Sequence, residues 1–156
     1  MQNITMLARD AISAREAECF VTIEGRRYNF MNIIDLEVSI EKHKTVVNRL
    51  GAMMDGNKSY GMAGTFSGTK HYNSSIMREL LERYKDTGFD FYFEIQITNN
   101  DPDSAAGRQT VVLYDCNTDG GTLSVFDAAG ETLEEPIEGT FEDFKIPESF
   151  KPLMGM

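Results

Sequence analysis

The sequence predicts a mainly β fold of the α+β class, a small antiparallel barrel or sandwich with one flanking α-helix. Several segments alternate apolar and polar residues with a period of two, Gly-rich turns separate many of them, and one segment has helical spacing. At 156 residues the chain can form one core without disulfides. We expect a single domain over 1–156, with an N-terminal arm to about residue 16 and a C-terminal tail from about 147.

Two strands are predicted in the first third of the chain. Residues 17–23 alternate, and a turn follows at Glu24-Gly25-Arg26. Residues 34–41 alternate more clearly and give a predicted core face and an opposite, acidic face. The core face consists of Ile34, Leu36, Val38 and Ile40, and the opposite face of Asp35, Glu37, Ser39 and Glu41.

A long loop is predicted from Asn48 to Ser59, because the alternation stops and two Gly residues appear among polar ones. A β-hairpin needs only two to five linking residues. The excess length indicates a function for the loop, which carries the apolar pair Met53-Met54 beside Asp55, Asn57 and Lys58.

The next predicted strand, residues 60–72, has one face made only of small side chains. These are Gly61, Ala63, Thr65, Ser67 and Thr69. Glycines at 61, 64 and 68 would weaken an isolated strand, so they indicate bulges or a close approach by another backbone.

One amphipathic helix is predicted at about 74–86. Asn73, Ser74 and Ser75 are good N-cap residues, and Gly88 can end the helix. The apolar stripe is formed by Ile76, Met77, Leu80, Leu81 and Tyr84. We interpret this stripe as core packing.

The second half returns to strands. Residues 89–98 alternate strongly, a loop at 99–107 leads to a strand at about 108–116, and Asp119-Gly120-Gly121 turns into 122–126. A last run covers about 131–146. Since Pro136 lies in this run and Pro147 follows it, we expect an edge strand there.

Charge and chemistry exclude several classes of function. Asp and Glu outnumber Lys and Arg by 25 to 15, giving a net charge of −10, so the chain should repel nucleic acid and anionic membranes. No cluster of basic residues indicates nucleic-acid binding. Cys19 and Cys116 fit buried thiols. We predict no transmembrane segment, no signal peptide and synthesis in the cytoplasm.

No catalytic, cofactor-binding or metal-ligating residue is predicted. His43 and His71 have no further ligand at metal-binding spacing, and the segment from Asp101 to Ser104 lacks the Gly and Glu of a calcium loop. No nucleophile elbow or phosphate-binding glycine motif occurs. We therefore expect a protein that is not an enzyme.

The stretch TNNDPDSAAGRQTVVLYD at 98–115 resembles tail-tube proteins of PBSX-type defective prophages and contractile bacteriocins. ARDAIS at 8–13, IEKHK at 40–44, GETLEEP at 130–136 and GTFEDFKI at 139–146 match the same family in the same order. The resemblance implies a tail-tube-like barrel, six copies to a ring, and rings stacked into a tube inside a contractile sheath.

The implied partners are further copies of the chain, the sheath protein, the baseplate and the tape-measure protein. DNA would be present only in transit, in a true phage, and the subunit would not bind membrane. The assembled protein would reside in a virion tail or a released bacteriocin particle. Two alternatives stay open: a secretion-system tube or baseplate ring protein on the same fold, and a monomeric ligand-binding β-barrel.

Two sets of site residues follow from this resemblance and from the faces of the strands. The acidic and small faces are predicted to face the tube lumen: Asp35, Glu37, Glu41, Ala63, Thr65, Ser67 and Thr69, with Glu18 and Glu24 as further candidates. The loop is predicted to mediate ring stacking through Met53, Met54, Asp55, Asn57 and Lys58.

Overall fold

A computed structural model of the protein describes residues 6–13, 15–29 and 33–153. In this part of the chain, eight strands pair antiparallel and one α-helix is present. They are β1 (Ala17–Ile23), β2 (Arg26–Asn29), β3 (Ile33–Val47), β4 (Gly56–His71), α1 (Ile76–Thr87), β5 (Phe93–Asn100), β6 (Arg108–Thr118), β7 (Glu134–Phe141) and β8 (Asp143–Glu148). The predicted mainly β fold with one helix is confirmed.

The elements group into two compact units. The first contains β1, β2, β5, β8 and β6 up to Cys116, and the second contains β3, β4, α1, β7 and the last two residues of β6. In the first unit the strand order is β2-β1-β5-β6-β8. In the second, β4 lies between β3 and β7, and the end of β6 pairs with β7.

The core of the first unit consists of apolar side chains that alternate along its strands. Val21, Ile23, Phe93, Ile95, Leu113 and Cys116 are buried. Hairpin β1–β2 turns at Glu24 and Gly25, both with positive φ as in a two-residue type I′ turn. A bulge in β6 accommodates Asp115, whose φ is also positive, where β6 pairs with β5.

The described part of the N-terminal arm contacts the turn at 101–104. The Asp101 carboxylate accepts hydrogen bonds from the backbone of Asp103, within the turn, and of Ser13, at 2.9 Å each. Ala105 N–H donates to the Arg9 carbonyl at 3.2 Å. Asp101 therefore holds a turn and an arm together in the first unit.

In the second unit, glycines let aromatic rings approach the sheet closely. A Cβ at Gly64 would overlap the Phe141 ring, and a Cβ at Gly139 would overlap the Phe66 ring. Phe66, Phe141 and Ile137 are buried on the same sheet face, and Met77 and Leu80 of α1 are buried as well. The close approach of another backbone predicted from the glycines of β4 is found at Gly68, where a Cβ would overlap the Asp35 carbonyl oxygen.

Several predicted boundaries shift. Helix α1 begins at Ile76 and ends at Thr87, and it is capped by Gly88, whose φ is +75° and whose N–H donates to the Tyr84 carbonyl. The strand predicted at 122–126 is wrong, since that segment has no strand partner. Strand β2 is missed, and β5 begins at Phe93 rather than residue 89.

The last predicted run is in fact two strands, because pairing breaks at Glu142 between β7 and β8. Pro136 pairs with Thr69 of β4 on one side, while the pairing of β7 with β6 involves only Gly139 and Thr140. Pro136, which has no backbone N–H to donate, therefore lies where β7 has an open edge.

Candidate assembly surfaces

The acidic residues and the small residues predicted to line a lumen lie on one face of the β3–β4 ladder. Glu37 is directly opposite Ser67, Asp35 is opposite Thr69, and Glu41 is opposite Ala63. Ser39 and Thr65 complete the row, with their hydroxyl oxygens 3.4 Å apart. Residues opposite each other in a ladder share a face, so the structure brings the acidic and small residues together.

Strand β7 extends this acidic face. Glu138 pairs with Ser67, and Thr140 pairs with Thr65. None of the residues named on this face is Lys or Arg, so its potential is negative. Glu18 and Glu24 lie instead on β1 and its turn, in the first unit. Whether the acidic face lines a lumen stays a prediction.

The other face of the β3–β4 ladder is less buried than predicted. Leu36 and Val38 are half-buried, but 47% of Ile34 and 41% of Ile40 are exposed. Ile34 lies at a bulge, since Ile33 pairs with Lys70 and Asp35 with Thr69. Ile40 lies near the point where β7 ends, because β4 pairs with β7 only from Gly64 onward.

Beyond Gly64 the ladder is a two-stranded ribbon with exposed apolar side chains. Val46 is 62% exposed and Met62 is 59% exposed, and Tyr60, the bulged residue of β4, is also exposed. An isolated two-stranded ribbon is marginally stable in water. Lys42 and Lys44 lie between Ile40 and Val46 on the same face of β3, so the exposed apolar side chains of the ribbon are interspersed with lysines.

The hairpin loop is Asn48 to Asp55, shorter than predicted. Met53 and Met54 are exposed at its tip, with Asp55 at its end. Asn57 and Lys58, predicted in the loop, belong to β4 and pair with Val46 and Thr45, because the ladder continues to Val47 and Gly56.

The loop has internal structure. The Arg49 guanidinium donates to the Met54 carbonyl at 3.0 Å, and Gly51 adopts a φ of +80°. A side chain that bridges a loop in this way reduces the entropy that the loop loses when it binds. The loop therefore presents its methionines in an organised form.

Residues 42–59, which we name the hairpin end, are basic. Four basic residues, Lys42, Lys44, Arg49 and Lys58, accompany one acidic residue, Asp55. Lys58 pairs with Thr45 and Lys44 pairs with Ser59, so these two lysines lie on opposite faces of the ladder. The four basic residues are therefore spread over both faces and the loop and do not form one patch.

A buried ion cluster, also missed by sequence analysis, anchors α1. Lys70 Nζ lies 2.9 Å from Glu135 Oε1, and Arg78 Nη1 lies 2.5 Å from Oε2. The Lys70 and Glu135 side chains are 5% and 3% exposed. The Lys70 contact is an ion pair, since Oε1 accepts no hydrogen bond of regular geometry from the described residues.

Arg78 links this cluster to its surroundings. Its guanidinium donates to the carbonyls of Ser74 and Thr122 and stacks over the Tyr72 ring. One side chain of α1 therefore contacts strand β7, the helix start and the segment after β6. An alternating pattern predicts a strand face from its apolar residues. It therefore gives no indication that a charged pair such as Lys70 and Glu135 is buried in the core.

Both cysteines are free thiols with little reactivity. Burial raises the pKa of Cys19 to about 12, and burial likewise raises the pKa of Cys116 to about 12. Since the thiolate is the nucleophile, neither thiol should react readily in the folded protein at neutral pH.

The described residues form neither a metal-binding cluster nor a membrane-spanning helix. Within 6–13, 15–29 and 33–153, no three His, Cys, Asp or Glu side chains are grouped to hold a metal ion. No helix in the same ranges has the length and apolar character to cross a bilayer.

Comparison with known proteins points to one family. The profile of the family described as phage tail tube protein matches residues 4–148. The chain is 34% identical over 145 residues to the phage-like element PBSX protein XkdM of Bacillus subtilis (strain 168), which covers 93% of this chain and 96% of XkdM.

Solved structures share the fold. A chain in the extended-state sheath/tube terminator of PVC, an extracellular contractile injection system, has a TM-score of 0.65 at 10% identity, covering 88% of this chain and 97% of that one. A chain in the 6-fold symmetrised baseplate of the anti-feeding prophage has a TM-score of 0.63 at 11% identity, covering 92% and 97%. At these identities the likeness concerns the fold alone.

The buried ion cluster generates a stability prediction. Glu135→Ala removes the carboxylate that balances two cations, of which Lys70 is almost fully buried. Breaking a buried ion pair costs about 3–5 kcal/mol. We expect the free energy of unfolding in urea to fall by about that amount.

Glu148→Ala is the matched control. Glu148 pairs with Arg108 at 2.7 Å, but the two side chains are 42% and 52% exposed, and an exposed pair contributes about 0–1 kcal/mol. If both variants lose the same small amount of stability, the cluster does not anchor the helix.

Proposed function

Because the chain belongs to the phage tail tube protein family, we propose that it forms six-membered rings that stack into the inner tube of a contractile tail or an R-type bacteriocin. Its role as a tube subunit follows from the family and the fold. The number six follows from the family resemblance. It agrees with the sixfold symmetry of the anti-feeding prophage baseplate, which contains a chain of the same fold.

The exposed apolar surface of the β3–β4 ribbon is the observation that carries this proposal. Ile40, Val46 and Met62 would be a liability in a monomer. Strand β3 pairs only with β4 among the described residues, so its other edge is open. An open edge next to an apolar face favours pairing with another copy, and a closed ring would satisfy every such edge.

The acidic face suits the inside of the tube. It carries Asp35, Glu37 and Glu41 beside small hydroxyl-bearing residues of β4. Helix α1 packs on the opposite sheet face, since Arg78 of α1 pairs with Glu135, which shares that face of β7 with Ile137. If the acidic face lines the bore, DNA or other anionic cargo can pass without binding to the wall.

The hairpin loop suits contact between rings. Met53 and Met54 are exposed on a loop held by Arg49. Unbranched thioether side chains adapt to irregular surfaces, and full burial of each contributes about 1.5–3 kcal/mol. Six such loops per ring would favour stacking strongly.

The remaining parts of the proposal concern role and partners. Family membership indicates a structural protein, and we propose that it has no catalytic activity. The sheath protein would bind outside the tube, with the baseplate and tape-measure protein as further partners. Synthesis would take place in the bacterial cytoplasm and assembly in a phage tail or bacteriocin particle.

A cysteine-labelling experiment tests the lumen assignment. Glu37→Cys lies on the acidic face, and Asp86→Cys, on α1, is the matched control. In assembled tubes we expect Glu37→Cys to react with a small maleimide but not with one attached to a large poly(ethylene glycol), whereas Asp86→Cys reacts with both. The unmodified chain should remain unlabelled because its two thiols have raised pKa values.

The outcomes separate the parts of the proposal. Purified protein that stays monomeric in light scattering and shows no tubes by electron microscopy contradicts tube formation, and favours a monomeric barrel. Tubes in which the large reagent labels Glu37→Cys as fast as in the monomer place the acidic face outside.

A second variant tests the stacking loop. Replacing Asn48–Asp55 by a two-residue Asn-Gly turn keeps the β3–β4 ladder, because this turn suits a tight hairpin. We expect rings of normal size by light scattering, an unchanged melting temperature, and no elongated tubes by electron microscopy. Tubes of normal length from this variant would rule out a stacking role for the loop.

A further inference from the structure

A small cavity of about 20 Å³ lies beside the buried ion cluster in the second unit. Its lining includes the three cluster residues, Lys70, Arg78 and Glu135, together with Thr118 at the end of β6. A cavity can hold a water molecule once its volume reaches about 10–15 Å³. The space beside the cluster therefore fits a ligand of the size of water.

Two of the side chains that line this cavity carry a buried oxygen that lacks a hydrogen bond. Glu135 Oε1 and Thr118 Oγ1 make none of regular geometry with any part of the chain in the ranges 6–13, 15–29 and 33–153. Lys70 Nζ supplies positive charge 2.9 Å from Glu135 Oε1. Buried polar atoms in native proteins are nearly always hydrogen-bonded, either to protein or to ordered water.

The two side chains project from the same face of the sheet. Glu135 shares a face of β7 with Gly139, four residues along the strand, and Thr118 pairs with Gly139. Residues that are opposite each other in a ladder share a face. Both oxygens therefore lie on the sheet face that α1 covers, where the cluster is buried.

The chemistry of the lining selects water among small ligands. Glu135 Oε1 belongs to a carboxylate, which can only accept hydrogen bonds. An anion has no proton to donate to it, and a metal cation is repelled by Lys70 and Arg78. A water molecule carries no net charge and donates two hydrogen bonds.

We infer that an ordered water binds in this cavity and hydrogen-bonds Glu135 Oε1 and Thr118 Oγ1. This water connects the end of β6 to the ion cluster. Arg78 already holds the following segment through the Thr122 carbonyl, so the water gives the cluster a second contact with residues 118–122. The site belongs to the single subunit and does not depend on the proposed tube.

Substitution of Thr118 tests the inference. Thr118→Val removes the hydroxyl and nearly keeps the shape of the side chain, while Thr118→Ser keeps the hydroxyl and is the matched control. In density maps of the full chain that resolve ordered water, we expect a water peak within hydrogen-bond distance of both oxygens. The peak should remain in Thr118→Ser and be lost in Thr118→Val. A wild-type map without this peak, or an unchanged peak in Thr118→Val, would overturn the inference.

Hydrogen–deuterium exchange provides a second readout. Losing a hydrogen bond that a charged cluster supports makes local opening easier, so amides of residues 118–122 should exchange about tenfold faster in Thr118→Val. The same amides should keep their wild-type rate in Thr118→Ser. Unchanged exchange around the buried Ile95 in the first unit shows that both variants are folded. Equal rates for residues 118–122 in the two variants contradict the contact between the water and Thr118, whether or not the protein assembles into tubes.

Discussion

The β3–β4 ladder is longer than the structure that covers it, and the surface properties of the second unit follow from this constraint. Strand β4 pairs with β7 only from Gly64 to His71, although its ladder with β3 begins at Gly56. The covered part carries the aromatic core and α1. The uncovered part leaves the apolar side chains of the ribbon exposed. Such side chains favour binding to another surface.

The covered part gives the molecule a rigid base for this ribbon. Glycines allow Phe66 and Phe141 to lie against the sheet, and the cluster of Lys70, Glu135 and Arg78 fixes α1 to β7. Arg78 also holds the segment after β6 through the Thr122 carbonyl. Both the helix and this segment line an open groove of about 570 Å³, so the ion cluster holds two of the elements that form this groove.

Sequence patterns predict the strands of this fold well where one face is buried and the other is not. The alternation of residues 17–23 and 34–41 reflects such strands, and the acidic and small residues of β3 and β4 do lie on one face. The pattern gives no register, so it ends the hairpin loop too late at Ser59 instead of Asp55. It also mistakes the exposed residues Leu123 and Phe126 for a strand, because local hydrophobicity does not reveal whether a side chain is buried. The buried ion cluster of Lys70, Arg78 and Glu135 depends on contacts between residues distant in the sequence and could not be predicted from local spacing.

Hydrogen–deuterium exchange tests the central claim most directly, namely that neighbouring copies cover the uncovered ribbon. Amides of residues 42–59 should exchange quickly in the isolated subunit, since a two-stranded ribbon opens locally at little cost. On assembly their exchange should slow strongly, while amides around the buried Ile95 and Leu113 change little. Equal exchange of residues 42–59 in the subunit and in the assembled protein would contradict the account.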